Sequence, residues 1–256
     1  MPFRPPAGWG KRAAQHDLHT LRTALRMAAA LDPLGTPPKT STPWYAAVAR
    51  AGQAWGLHLN DTIGDCTIAD SANAVMIATA NAGRIVVPSD DEVRRVYSEI
   101  SGWDGVLGSP TDIGCYELAV DAYLRVKGLA GVRLAAYGSL DPKNLDHVRW
   151  AIQLFGGVRF GFRLPQSAEE QFQAGEPMTV VPGSTIVGGH DMRGIGYAPG
   201  WVLLLTWGGY CWASEGFIAT FADEAHAELF EGWSVPGIDT ATLARDLALV
   251  NDEMAS

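Results

Sequence analysis

Apolar and polar positions alternate with two different periods along this chain. Residues 13–31 repeat apolar side chains at helical spacing, and Leu18, Leu21, Leu25 and Ala29 fall on one face, which predicts an amphipathic helix. Pro33, Pro37, Pro38 and Pro43 then break the chain into an extended connector. The small-residue run from Cys66 to Ala82 predicts a helix closed by Gly83. Asp90 and Asp91 predict the acidic start of another over 91–101. A third, at about 116–128, follows Thr111 or Asp112 and ends at Gly128. A fourth starts at Asp141-Pro142 and runs to about Leu154, with proline in the first turn.

After Gly156-Gly157 the period shortens. VRFGFRL, from Val158, alternates as a strand does. Residues 184–197 and 201–208 read as two more strands, joined tightly at Pro199-Gly200. Residues 217–230 fit helix or strand, and 239–250 predict a short helix capped by Asp239 or Thr240. Helices first and strands later predict an α+β fold with segregated halves. Residues 1–12 are rich in proline and glycine and read as irregular. We take 1–45 as an N-terminal arm, because one helix has no core of its own, and 46–256 as one domain.

With 256 residues, 47% of them hydrophobic, the chain can bury a core without disulfides or metals. The formal net charge of −9 argues against a nucleic-acid partner bound through phosphate neutralisation. Cys66, Cys115 and Cys211 are widely spread, which predicts neither a disulfide framework nor a C-x-x-C zinc site, and no cofactor is expected. The positively charged N-terminus has no apolar run behind it, and no stretch suits a membrane span. The expectation is a cytoplasmic protein or a phage virion component, without a membrane partner.

The sharpest local signal is the turn-forming run Asn60-Asp61-Thr62-Ile63-Gly64-Asp65, which delivers Cys66 to a helix start. Unpaired N–H groups there favour negative charge and lower a thiol's pKa, making a nucleophile. The bland alternative is a small buried hydrophobe. Gly188-Gly189 precedes His190 on a strand and clears space beside its ring. The next strand ends in Thr206-Trp207-Gly208, where Trp207 either shields a polar pair or is a core aromatic. Cys115, Cys211 and the other histidines lack comparable settings. Residues 105–110 form a loop rather than a phosphate cradle.

A cysteine at a helix start, followed by a histidine strand and a Trp-Gly hairpin, resembles the papain-like cysteine peptidases. The chain is more similar to bacterial and phage papain-like proteins marked by Asn-Asp-x-x-Gly-Asp-Cys-Thr, here Asn60 to Thr67. The resemblance extends through Thr111–Gly114, Leu154–Val158, Gly188–His190, Thr206–Gly208 and Asp223–Ala225, most of residues 55–250. It implies a helical half carrying Cys66 as nucleophile and an antiparallel half carrying His190 as base. Asn60 takes the place of the family's oxyanion-holding glutamine, six residues before the cysteine. The family's orienting asparagine, two residues before the tryptophan, is replaced by Leu205. Thr206 is next to it, on the opposite face of an alternating strand, and Asp191 is expected to point away from His190. Two functions follow. One is a cysteine hydrolase of peptides or other amides; acyl transfer would use the same pair. The other is a weak or inactive papain-like fold serving as a virion part, docked to a partner chain through its arm.

Overall fold

The computed structural model describes residues 10–235 and 239–255. Among them, five α-helices precede the main sheet: α1 (Leu18–Leu31), α2 (Ala46–Arg50), α3 (Cys66–Asn81), α4 (Asp90–Ser101) and α5 (Glu117–Val126). Then come β1 (Leu134–Leu140), α6 (Leu145–Phe155), β2 (Val158–Pro165), α7 (Gln166–Ala174), β3 (Ile186–Ala198), β4 (Trp201–Thr206) and β5 (Gly209–Ser214). The chain closes with α8 (Glu215–Phe221), β6 (Ala222–Phe230) and α9 (Thr240–Ala255). The six strands form one sheet in the order β1-β6-β2-β3-β4-β5, with every neighbouring pair antiparallel. This is the expected mixed architecture of helices and an antiparallel sheet. No helix among the described residues is long and apolar enough to cross a membrane.

Helix α3 is the axis of the helical half. Every residue from Cys66 to Ala78 is buried, so it has no solvent face and little amphipathic pattern. Its alanines let α4, α5 and β3 approach closely, and Ile68, Val75, Val93, Tyr97 and Leu124 fill the core between them. A second core, built on Phe160, Phe162, Met192, Leu204 and Phe217, lies on one face of the sheet.

The Leu18, Leu21, Leu25 stripe of α1 faces outward, with exposures of 69%, 56% and 61%. The inward face is instead His19, Thr23, Met27 and Leu31, laid on β1 and α9. Two stripes of α1 carry apolar groups. Thr23 decides between them, because its hydroxyl accepts the Ser139 N–H while Met27 and Leu31 enter the sheet core. The helix starts at Leu18 rather than residue 13, because Asp17 and Thr20 form a reciprocal capping box. Likewise α6 starts at Leu145 behind the Asn144 cap, leaving Pro142 in the preceding turn. Strand β1 and helix α7 lie where no element was expected. The ambiguous stretch 217–230 is both, most of α8 followed by β6.

Candidate active site

The turn before Cys66 is held from outside. The Gly64 N–H donates to Asp112 Oδ1 at 3.0 Å, and the Tyr97 hydroxyl donates to the same oxygen. The loop carrying Thr111–Gly114 therefore clamps the loop carrying Asn60–Asp65. His58 and Leu59 take positive φ angles of 52° and 72°, backbone that costs side-chain-bearing residues energy and persists only where surroundings enforce it.

Cys66 is the first residue of α3 and is 2% exposed. Cys66 and Asp191 line the same small cavity, which places the thiol beside β3, one residue along from His190. Burial pushes the thiol well above its usual range, and the carboxylates of Asp191, Asp65 and Glu117 push the same way. The helix start alone predicted a lowered pKa. Desolvation and neighbouring acids outweigh it here. Asn60 is also buried, and its amide Nδ2 sits 3.4 Å from Asp65 Oδ1, a long bond to a carboxyl that burial holds well above the usual carboxylate range.

His190 is 1% exposed, and burial pushes its pKa down to about 3. Its Nε2 lies 2.8 Å from Thr206 Oγ1. The Trp207 ring stacks on the imidazole with centroids 4.6 Å apart and planes 16° from parallel. Leu205 offers the ring no hydrogen bond, and the Thr206 hydroxyl reaches it from the end of β4. Trp207 and Gly208 form the two-residue loop between β4 and β5, with φ of 47° and 70°, as a tight hairpin following strand twist requires. Asp191 points away from the imidazole, as alternation demands, and its carboxylate lies 3.5 Å from Arg159 Nε. Asn60, Cys66, Asp191, Leu205, Thr206 and Trp207 line a cavity of about 10 Å³, room for roughly one water.

Three groups of residues that were assigned no site role from the sequence surround this site. Arg159 and Arg193 are buried between the halves. Arg159 bonds Asp121 at 2.8 Å and Asp70 at 3.1 Å, and Arg193 bonds Asp70 and Glu228. Segment 10–12 crosses from one half to the other: Lys11 N–H donates to Gly189 O, Arg12 N–H to Cys115 O, and Cys115 N–H to Gly10 O. Finally, Glu117, Glu224 and His226 bring ligand-type atoms within 4.8 Å of one another, with the Lys11 ammonium 2.9 Å from Glu224. The available signal was a charged residue at an inward position of an otherwise apolar strand, as at Arg159 and Arg193.

A helical half with a cysteine opening its central helix, facing a six-stranded antiparallel sheet with a histidine on the apposed strand, is the papain-like cysteine protease fold. Solved structures similar to it include xylellain, a cysteine protease from Xylella fastidiosa, with TM-score 0.64 and 15% identity over 88% of this chain and 97% of that one. The Carica candamarcensis cysteine protease CMS1MS2 matches with TM-score 0.51 and 16% identity, covering 75% of this chain and 98% of that one. The ragweed cysteine protease Amb a 11, in its proform, matches with TM-score 0.54 and 13% identity, covering 77% and 66%. No protein-family model matches the sequence, and no curated protein does. At these identities the similarity is one of fold.

Proposed function

We propose that this chain is a cysteine hydrolase of peptide amide bonds, with Cys66 as nucleophile and His190 as base. The observation that carries this reading is the 2.8 Å contact of His190 Nε2 with Thr206 Oγ1 beneath the Trp207 ring. A base needs its tautomer and orientation fixed. When Nε2–H donates to Thr206, the Nδ1 lone pair takes the Cys66 proton. The thiolate attacks the substrate carbonyl, and the Cys66 N–H at the helix start and the Asn60 amide stabilise the oxyanion. The imidazolium returns its proton to the leaving amine, and water releases the acyl group from sulfur.

Residues 10–12 lie across the two halves beside the site, and with them in place thiol and imidazole are both held neutral by burial. Opening the groove to substrate and water reverses that penalty and favours the ion pair. The test is incubation of the full chain, as wild type and as Lys11→Ala, with an unfolded protein substrate, products being read by mass spectrometry. Discrete cleavage that disappears in Cys66→Ser supports the reading. Absence of cleavage in both, with no acylated Cys66, contradicts it. A second reading is an inactive papain-like fold serving as a virion part. It is favoured by the exposed Leu18, Leu21 and Leu25 stripe on α1, which would dock a partner chain. The setting, cytoplasm or virion, goes with whichever reading stands.

A further inference from the structure

Lys11 reaches from the segment before α1 into a socket of carboxylates between the two halves. The buried ammonium lies 2.9 Å from Asp223 Oδ1 and 2.9 Å from Glu224 Oε1. Glu117 is also buried, at 1% exposure, and neither of its carboxylate oxygens has a hydrogen-bond partner. Behind it, His226 Nδ1 lies 2.6 Å from Asp121, which fixes the ring with Nε2 3.8 Å from Glu224. Two glycines make the room. A Cβ on Gly161 would fall 1.9 Å from Lys11 Cε and 2.4 Å from Glu117 Oε1, and one on Gly189 would fall 2.3 Å from the Lys11 carbonyl oxygen. The first clears the stem of the occupant and the second its main chain.

The backbone of the occupant is held without regard to sequence. Its main-chain bonds to Gly189 and Cys115 are of the kind any extended peptide makes at a strand edge, so selection falls to the socket. The location is next to the reacting groups. Gly189 precedes His190, and a Cβ on Gly10 would fall 2.0 Å from the Gly64 carbonyl oxygen, two residues before Cys66. A peptide taking the place of residues 10–12 would therefore run beside the thiol.

We propose that the socket of Glu117, Asp223 and Glu224 selects a lysine or arginine side chain of the peptide substrate, and that Lys11 fills it in the chain's closed arrangement. This rests on the hydrolase reading and names its substrate class. A neutral side chain would leave buried carboxylates uncompensated, whereas an ammonium or guanidinium restores the pairing. Arginine's planar fork suits two carboxylates on one wall.

The experiment uses the full chain as Lys11→Ala, with Lys11→Met, which keeps most of the stem, as the second variant should the first not fold. Matched peptide amides are assayed, identical except for lysine or norleucine at successive positions near the scissile bond. The expected result is a preference for lysine of roughly tenfold or more in kcat/KM at one position, as for a buried charge pair. The preference flattens when Glu224→Gln is added. Equal rates for the pair at every position overturn the inference and leave the hydrolase reading standing. If no peptide is cleaved, the hydrolase reading falls. Calorimetry with acetyl-Gly-Lys-Arg-amide and its norleucine analogue then tells the two failures apart. Tighter binding of the lysine peptide shows the socket's selectivity surviving without catalysis, and equal affinity overturns that as well. Stoichiometric zinc binding to Lys11→Ala with no lysine preference would reassign Glu117, Glu224 and His226 as a metal site and overturn the inference.

Discussion

The Arg159–Arg193 network and the Lys11 socket are both buried charge clusters that join the helical half to the sheet, and they are built in opposite ways. The arginines sit inside the sheet and take carboxylates from α3, α5 and β6, so each cation is surrounded. The lysine comes from outside the regular elements, on a segment held by a few main-chain bonds, and the Glu117 carboxyl beneath it is left without a hydrogen bond. Burial, reinforced by Glu224 and Asp191, holds that carboxyl well above its usual range. The arginine cluster, with two cations shared among carboxylates of several elements, cannot open without exposing several charges at once. A cluster whose cation can withdraw, with water taking its place, is suited to exchange. Burial alone does not distinguish structure from function; the source of the counter-charge does.

The comparison is most severely tested by Arg159→Met. It leaves Asp70, Asp121 and Glu228 without their shared partner and is expected to destabilise the chain by about 3–5 kcal/mol. Urea unfolding measures it, and a loss of under about 1 kcal/mol would make the network dispensable. Lys11→Ala is expected to cost less, about 1–2 kcal/mol, because the segment can release and water can enter the socket. A loss matching that of Arg159→Met would erase the distinction. Thr206→Val keeps the shape beside His190 and removes the hydroxyl. It should cost about 1 kcal/mol in stability and lower kcat by roughly tenfold or more with KM little changed. Unaltered kcat would remove Thr206 from the site.

The smallest effect concerns two buried histidines with opposite slopes. His190 is held low, at about 3, so the unfolded chain takes up its proton first, and this residue's contribution to stability falls as pH drops from about 6.5 toward 3. His226 is held above its ordinary value: burial acts against the proton, but Asp121 and Glu224 outweigh it. Its contribution is full below about 6.5 and lost as pH rises through the raised value. Stability profiles of His190→Phe and His226→Phe, each subtracted from wild type, should slope in opposite directions. Slopes of one sign would contradict the assignments.

What the sequence discloses follows from the range of the interactions involved. The start of α3 at Cys66 is written in the adjoining turn, and that of α4 in its acidic first turn at Asp90 and Asp91, all within a few residues. The hairpin that carries Thr206 and Trp207 is equally local. Strand β1, LAAYGSL, has Ala, Gly and Ser at four of its seven positions, residues with little strand preference, and exists because β6, nearly a hundred residues later, pairs with it. The face of α1 was misread because periodicity shows that a stripe exists and not which stripe the sheet accepts. The arginine network and the Lys11 socket were invisible for the same reason, since their partners come from distant segments. Proline and glycine near the N-terminus marked that region as irregular, which says nothing about what an irregular segment can fill.

The most direct test of the Cys66–His190 pairing is the pH dependence of Cys66 alkylation. Iodoacetamide is applied to the Lys11→Ala chain from pH 4 to 10, and the modified site is mapped by mass spectrometry. The account predicts fast, selective labelling of Cys66 that is already on a plateau near pH 6 and loses that plateau in His190→Ala. Labelling of Cys66 that rises only with the ordinary ionisation of a thiol, at the pace of Cys211 and unchanged by His190→Ala, would contradict it.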